Sequence, residues 1–432
     1  MPEETRPLPQ RIPSIDRFRG FVIFCMIIFQ FAEKFPSLGV IARLAVHAPN
    51  EQGVYILPNL TTADLIAPAF ILAIGLTYLP SLQRRIELNG RKEAVLHLMK
   101  RYLMLIGIGI TMDGVNDILD GKFNEPLPLM FIVLTVIVLL GSIIGLILKL
   151  AKVKTRTKYY NVLSWYVAFV GVVGLIVAAV NAVMLVTGKT ASSFGHWVVL
   201  HHIGFAGLIA LPFALMKGNR GHWLRLACGT VIFALYTVFH EGNLAGDLFN
   251  SNRELIDEVA DGGFIGGFAF GAMLILYMFF AEEFRRRKNK YLPPLALGIF
   301  GLIVAGVLIG VFKTLPDTGT WAGAISRFLP INKGSESPSY VLISGFISLF
   351  AFYVFELFNG LEIRFDPFAW WGKNPILLYC IEFAVIGGLN VALEDVFKNA
   401  SAPMAAVIVL VVAAALTLLA YLLHKKKIII KL

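Results

Sequence analysis

The chain contains 432 residues, of which 57% are hydrophobic and 15% are charged, and its mean hydropathy is +0.74. A soluble globular protein carries about 25% charged residues, so this composition excludes that class, together with disordered chains and coiled coils. The formal net charge of +10 does not indicate binding to nucleic acid. Membrane topology explains it, because the Lys and Arg residues are distributed as in a membrane protein with a basic cytoplasmic side. The sequence therefore predicts an all-α protein that crosses a lipid bilayer many times.

Apolar runs long enough to cross a bilayer recur along the whole chain. A transmembrane helix needs about 20 mostly apolar residues. We therefore predict about twelve transmembrane helices, which together form a membrane domain of residues 14–424. An N-terminal tail of residues 1–13 precedes this domain, and a basic tail of residues 425–432 follows it. The predicted spans are residues 18–34, 61–82, 101–116, 126–148, 159–187, 196–216, 223–240, 262–281, 291–313, 339–359, 374–396 and 403–424.

The distribution of basic residues predicts the orientation of these helices. If the N-terminus is cytoplasmic and the spans alternate, 29 of the 38 Lys and Arg residues lie on the cytoplasmic side. The opposite side then carries two acidic outer segments, residues 113–125 and 254–261. Basic residues prefer the cytoplasmic side of a membrane, so we predict a plasma-membrane protein with both termini in the cytoplasm.

Charged residues at the start of the first two spans are the first candidates for a functional site. The segment SIDRFRG places Asp16, Arg17 and Arg19 where a helix enters the membrane, although contacts with the helix dipole and lipid headgroups would explain them too. Asp64 opens the second span, where a carboxylate is costly unless it is paired, so structural and functional interpretations have equal weight. His47 is the single histidine of the first outer loop, and is either an uninvolved loop residue or a general base.

Further polar candidates lie in the last third of the chain. Asn332 and Lys333 belong to the outer segment FLPINKGSESPSY, where Ser337 or Ser339 is expected to cap the next helix. Asn374 and Glu382 are eight residues apart in the eleventh span, so they share roughly one helix face. Glu382 lies well inside an apolar run, and an intramembrane carboxylate favours a functional interpretation.

The histidine and cysteine positions do not predict a metal site. His201 and His202 are adjacent, so their side chains point about 100° apart on a helix, and no HxxH or HxxxH spacing occurs. Cys25, Cys228 and Cys380 all lie in apolar runs without a CxxC spacing, which favours three buried small side chains.

Five segments occur in order from Ser14 to the C-terminus, namely SIDRFRG, TTADLIAPAFILAIG, PINKGSESPSY, GKNPILLY and HKKKIIIKL. Together they resemble the heparan-α-glucosaminide N-acetyltransferase family and its bacterial relatives. The resemblance implies an integral membrane acyltransferase that takes an acetyl group from cytosolic acetyl-CoA and passes it to a sugar amine on the far side of the membrane. It also implies that residues 126–187 are an inserted helical hairpin.

The resemblance assigns roles to individual residues. A family histidine that is followed by Ala and precedes an Asp in the second span matches His47 and Asp64. At three other positions this chain has a different residue from the one that the resemblance implies. Gln30 replaces an implied Asn, and His202 replaces an implied Arg. Glu382 replaces an implied His later in the chain.

The leading hypothesis is therefore an acyltransferase that uses acetyl-CoA or another acyl-CoA, without a metal. His47 would be the general base, with Asp64 beside it, because acyl transfer requires removal of a proton from the acceptor. The inner face offers cations for the phosphates of the donor at Arg17, Arg19, Arg84 and Arg85. The predicted substrate-binding residues are Gln30, Asn332, Lys333, Asn374 and Glu382, and the predicted donor-binding residues are Asp16, Arg17 and Arg19.

Two alternatives remain open. A transporter or exporter of a small or lipid-linked substrate would place Asp16, Asp64 and Glu382 on the path of a proton or substrate. A catalytically inactive family member would serve as a membrane partner of other proteins. These patterns are compatible with several acceptors and with a homo-oligomer.

Overall fold

A computed structural model describes most of the chain, and helices dominate it. The described residues are 12–47, 55–57, 60–151, 153, 155–186, 197, 199–241, 262–287, 289, 291–301, 303, 331–334, 336–361, 363 and 365–428. The helices are α1 (Pro13–Ala32), α2 (Val40–Ala45), α3 (Ile66–Asn89), α4 (Arg91–Leu119), α5 (Pro126–Leu150), α6 (Arg156–Val186), α7 (Val199–Ala214), α8 (Gly218–Glu241), α9 (Gly263–Arg286), α10 (Leu292–Gly301), α11 (Pro338–Leu357), α12 (Pro367–Trp371), α13 (Pro375–Asn399) and α14 (Ala402–Lys425).

The apolar helices match the predicted spans. Within the described part of the chain, eight helices are long and apolar enough to cross a membrane, namely α3 to α6, α8, α9, α11 and α14. The remaining predicted spans coincide with α1, which carries three charges near its start, and with α7, α10 and α13, each of which contains a shorter apolar stretch. This architecture is that of an all-α membrane protein, whereas the number of twelve spans and the side of each terminus stay predictions.

Proline and glycine mark where the helices begin. Proline occupies the first or second position of α1, α5, α11, α12, α13 and α14, where its missing N–H is not needed and its fixed φ suits a helix. Gly90 separates α3 from α4 with a φ of 80°, a left-handed conformation that glycine adopts without strain. Ser337 caps α11 by accepting a hydrogen bond from the backbone N–H of Tyr340, which confirms the predicted cap.

The chain divides into two compact units. The first contains residues 1–77, 280–333 and 337–431, and the second contains residues 78–279, 334–336 and 432.

In the first unit, α1 packs directly on α12. A Cβ added to Gly20 would overlap the carbonyl oxygen of Phe368 and lie 2.8 Å from the N of Gly372, while a Cβ on Gly372 would overlap the carbonyl oxygen of Asp16. Small residues at a membrane helix interface permit this approach of two backbones. The rings of Phe24 and Trp371 then meet edge to face, with centroids 5.3 Å apart.

In the second unit, α4 is the central helix and packs against α5, α6 and α7. Gly107 and Gly171 form a reciprocal close contact between α4 and α6, because a Cβ on either would overlap a backbone carbonyl of the other helix. The helices α5 and α6, which form the predicted inserted hairpin, contact each other: Tyr159 Oη donates to the carbonyl oxygen of Gly141 at 2.6 Å.

Two segments expected to be loops contain regular structure. The outer loop 35–60 includes a 3-10 turn at Pro36–Leu38, helix α2 and the strand β1 (Tyr55–Leu57), which pairs antiparallel with β2 (Leu60–Thr61). The first acidic segment is also not an outer loop throughout, because α4 continues to Leu119 and buries Asp113 and Asp117. The second acidic segment, residues 254–261, lies outside the described residues.

Candidate functional site

Asp64 lies in a turn of 3-10 helix, Ala63–Leu65, immediately before α3. Its side chain is fully buried. The backbone N–H of Thr61 donates to Asp64 Oδ2 at 2.8 Å, and Thr61 Oγ1 lies 2.9 Å from the same oxygen. A buried carboxylate requires such donors, because an unpaired charge in an apolar environment is strongly unfavourable. The turn therefore holds Asp64 in one orientation.

The second carboxylate oxygen of Asp64 contacts His47. His47 Nδ1 lies 2.8 Å from Asp64 Oδ1, and the side chain of His47 is 48% exposed, whereas that of Asp64 is 0% exposed. When Nδ1–H donates to the carboxylate, the neutral ring has its lone pair on Nε2, because only one ring nitrogen carries a proton. The structure thus brings together the two residues predicted as catalytic, in the arrangement by which an acid orients a histidine base.

Tyr340 connects Asp64 to the segment that contains Asn332 and Lys333. The phenolic Oη of Tyr340 donates to the backbone carbonyl oxygen of Asp64 at 2.7 Å. The backbone N–H of Asn332 donates to Ser337 Oγ at 2.9 Å, and Ser337 Oγ in turn caps the helix that carries Tyr340. The side chains of Asn332 and Lys333 are half-buried. Sequence reasoning did not identify Tyr340, because no short-range pattern indicates a hydrogen bond between residues 276 positions apart.

Gln30 and Glu382, both predicted to bind substrate, lie against each other. With the Gln30 amide oriented so that its NH2 faces the carboxylate, Nε2 lies 2.7 Å from Glu382 Oε1 and 3.3 Å from Oε2. Glu382 is buried, and Gln30 is half-buried near the end of α1. A buried carboxylate and an amide that are paired in this way form a polar site within the first unit.

Asn374 does not join Glu382, although both belong to the same region of the chain. Asn374 is the N-cap residue of α13, and its Nδ2 donates to the backbone carbonyl oxygen of Ile428 at 2.9 Å. Eight residues of helix separate it from Glu382 by about 12 Å. Next to it, Lys373 Nζ lies 2.6 Å from His424 Nδ1. Asn374 thus attaches the C-terminal segment to the start of α13.

The predicted donor-binding residues have protein partners at the start of α1. Arg17 Nε lies 2.5 Å from Asp366 Oδ2, and its NH1 and NH2 groups donate to the carbonyl oxygens of Phe358 at 2.7 Å and of Leu361 at 3.2 Å. Arg19 makes longer contacts of 3.4 Å, and Asp16 is buried. A guanidinium that contacts a carboxylate and two carbonyl groups stabilises the packing of the segments that carry them. The role of Arg17 in donor binding stays a prediction.

A further polar group in the second unit was missed from the sequence. Asp113 Oδ2 lies 3.6 Å from His201 Nε2, with side-chain exposures of 9% and 0%. The indole of Trp197 stacks on His201 at a centroid distance of 5.1 Å and donates from Nε1 to His202 Nδ1 at 3.3 Å. The rule that selected Glu382, a carboxylate inside an apolar run, would also have selected Asp113 in IGIGITMDGV.

The end of α4 carries a second, more exposed ionic group. Lys122 Nζ lies 3.1 Å from Asp117 Oδ1 and 3.2 Å from Asp120 Oδ2. Its hydrogen bonds with Asp117 and then with Asp120 raise the pKa of Lys122 above its ordinary value. Lys122 therefore remains a cation that neutralises the acidic end of this helix.

Across the residues that the structure describes, no group of three or more His, Cys, Asp and Glu side chains could hold a metal ion. Comparison with known proteins adds no assignment: no protein-family model matches the chain, and no curated protein matches it significantly. The geometry of the described residues is accordingly the basis for a functional proposal.

Proposed function

We propose that this protein is a membrane acyltransferase in which His47 is the general base. The observation that supports the proposal is the contact between His47 Nδ1 and Asp64 Oδ1, at 2.8 Å. A half-exposed imidazole is accessible to an acceptor, and the buried carboxylate fixes its tautomer and stabilises the imidazolium that forms during the reaction.

The proposed reaction is one acyl transfer from a thioester. The acceptor amine or hydroxyl attacks the thioester carbonyl carbon while Nε2 of His47 accepts its proton. The new C–N or C–O bond produces a tetrahedral oxyanion, which collapses as the C–S bond breaks. The thiolate of the donor then takes the proton back from the imidazolium, so the base is regenerated and no metal is consumed or required.

The substrates follow from the resemblance and are part of the proposal. The donor is acetyl-CoA or another acyl-CoA, and the acceptor is a sugar or similar molecule on the outer side of the plasma membrane. Gln30 and Glu382 offer a buried amide and carboxylate for recognition of an amine or hydroxyl, and Asn332 and Lys333 lie in the segment that Tyr340 connects to Asp64.

Purified protein with acetyl-CoA and candidate amino sugars tests the proposal through release of the CoA thiol. His47→Ala should lower the turnover rate by about 10²- to 10⁴-fold, because that is the usual contribution of a general base. Lys34→Ala is the matched control, since Lys34 is exposed in the chain segment between α1 and α2. Equal turnover in wild type and His47→Ala would refute the role of His47.

The orientation is tested separately. We propose that the turn between α3 and α4 faces the cytoplasm and that both termini lie on the same side, from the positions of Lys and Arg. In a variant whose three native cysteines are replaced by serine, a cysteine introduced as Asn89→Cys should react with an impermeant maleimide only after the cells are permeabilised. Labelling of intact cells at this position would reverse the proposed topology.

Proton-coupled transport is a second candidate, which the buried pair of Asp113 and His201 favours. Acyl transfer as proposed uses neither residue, and intramembrane ionisable groups commonly lie on proton paths. In proteoliposomes loaded with a pH-sensitive dye, a transporter would show proton flux under an imposed potential, and Asp113→Asn would abolish it. Absence of flux in wild type would exclude this candidate.

A further inference from the structure

The turn between α3 and α4 carries a cluster of basic side chains. Arg84 and Arg85 lie near the end of α3, and His97, Lys100 and Arg101 lie in the first turns of α4. The rings of Tyr78 in α3 and Tyr102 in α4 stack with their centroids 5.4 Å apart, so the two helices pack side by side next to Arg101. The end of α3 and the start of α4, which flank this turn, thus bring three guanidinium groups and an imidazole into one region of the second unit.

The arginines of this cluster have no acceptor in the part of the chain that the structure describes. The side chains of Arg84, Arg85, His97 and Arg101 make neither a hydrogen bond nor an ion pair with a described residue. Arg84 is exposed, whereas the Nε atom of Arg101 and the Nε2 atom of His97 are buried. Lys100 differs, because its Nζ donates to Asn161 at 3.0 Å and lies over the ring of Trp165.

An excess of basic residues at a cytoplasmic helix end is typical of membrane topology and by itself indicates no ligand. Topology does not account for buried nitrogen atoms without acceptors, because a buried donor that is left unsatisfied loses its hydration without compensation. Nor does it account for several guanidinium groups close together, since like charges destabilise one another. An anion that accepts from several of these groups would remove both costs.

We propose that Arg84, Arg85 and Arg101 form a binding site for a phosphate-bearing ligand. The planar guanidinium fork matches the oxygens of a phosphate, and charge-assisted hydrogen bonds to it are about twice as strong as neutral ones. The phosphates of an acyl-CoA donor are the expected source, an identification that rests on the proposed function. Phospholipid headgroups present the same chemistry.

Arg84 and Arg85 are among the cations that the sequence offers to the donor phosphates, and this site joins them with Arg101 instead of with the donor-binding residues predicted at the start of α1. Arg17 already meets Asp366 and two carbonyl groups, so a phosphate there would have to compete with a carboxylate at 2.5 Å. The cluster of Arg84, Arg85 and Arg101 has no such competitor among the described residues. It therefore offers the more favourable position for the phosphates.

Calorimetry on the full chain in phosphatidylcholine nanodiscs tests the proposal with CoA, 3′-dephospho-CoA and pantetheine. Removal of one arginine contact should weaken CoA binding about tenfold, and the triple variant R84Q/R85Q/R101Q by about 100-fold or more. The triple variant K425Q/K426Q/K427Q is the matched control, because it removes three exposed charges of the basic C-terminal region. Binding of pantetheine, which has no phosphate, should not change in either variant.

A second arm distinguishes the sources of the phosphate. Cosedimentation with vesicles that contain phosphatidic acid, compared with pure phosphatidylcholine vesicles, measures recognition of a headgroup in the same variants. A loss confined to phosphatidic acid in R84Q/R85Q/R101Q supports the phosphate site and assigns it to lipid, even if the proposed acyl transfer fails. If the triple variant binds both CoA and phosphatidic acid as wild type does, the site is refuted, whatever the outcome of the turnover assay.

Discussion

Substitution of Gly20 by alanine should separate α1 from α12 and destabilise the protein. The Cβ of alanine would overlap the carbonyl oxygen of Phe368 and approach the N of Gly372 to 2.8 Å. Both are backbone atoms, which cannot change rotamer to make room. The helix must therefore move, and it carries the contacts of Arg17 with it.

The size of the effect follows from these contacts. Insertion of a methyl group into a packed interface costs about 1–3 kcal/mol. Movement of α1 also weakens the hydrogen bonds of Arg17 to Asp366 and to the carbonyl oxygen of Phe358, now 2.5 and 2.7 Å, and a hydrogen bond to a charged group contributes about 1.5–3 kcal/mol. Alanine favours the helix over glycine by about 0.5–1 kcal/mol. We therefore expect Gly20→Ala to lower the free energy of unfolding by about 2–5 kcal/mol.

Thermal unfolding in detergent, followed by size-exclusion chromatography with fluorescence detection, measures this effect. Gly387→Ala is the matched control, because Gly387 is also helical and no described atom lies within 4 Å of its added Cβ. The control should keep or slightly raise the apparent melting temperature. If Gly20→Ala and Gly387→Ala melted alike, the close packing of α1 on α12 would be wrong.

Two other predictions concern catalysis and the contacts of Arg17. Asp64→Asn should lower turnover by about 10²- to 10⁴-fold, because the amide no longer fixes the histidine tautomer, whereas Thr61→Val should cost only about 2- to 10-fold through one lost hydrogen bond. Steady-state rates of CoA release measure both, and a larger loss in Thr61→Val would contradict the assigned roles. Arg17→Gln should destabilise the fold by about 3–5 kcal/mol, because it leaves Asp366 without its ionic partner. Unchanged melting with weakened CoA binding would instead favour the donor role predicted for Arg17.

The helical architecture could be predicted because it depends on short-range features of the sequence. A run of about 20 apolar residues can satisfy its backbone in a membrane only as a helix or within a closed barrel, so each predicted span overlaps a helix in its described part. Another short-range feature predicted that Ser337 or Ser339 caps the helix after residue 336, and Ser337 is the cap in the structure. Short-range features failed for the strand pair Tyr55–Leu57 and Leu60–Thr61, because five residues of short strand leave no periodicity that can be distinguished from a loop.

The candidate site was predictable in its residue types but not in its pairings. The cost of burying a carboxylate selected Asp64 and Glu382, and both have polar partners in the structure. The partner of Asp113 could not be found in this way, because His201 is distant in sequence and only the packing of α7 on α4 brings it near. For the same reason the sequence did not show that Arg17 meets Asp366, since Arg17 and Asp366 lie near opposite ends of the chain.

The pairing of Gln30 with Glu382 leads to a last prediction. The resemblance implies Asn and His at these two positions, so both members of one contact would differ together. Glutamine is one methylene longer than asparagine, and glutamate accepts the hydrogen bond that an imidazole nitrogen would otherwise accept. Gln30→Asn alone and Glu382→His alone should each lower turnover, because each leaves a mismatched pair in a buried site. The double variant should recover part of the loss, with a coupling energy of about 0.5–3 kcal/mol, as residues in direct contact show. A double-mutant cycle on turnover and on melting temperature measures this coupling, and strictly additive effects would mean that the two side chains do not act as a pair.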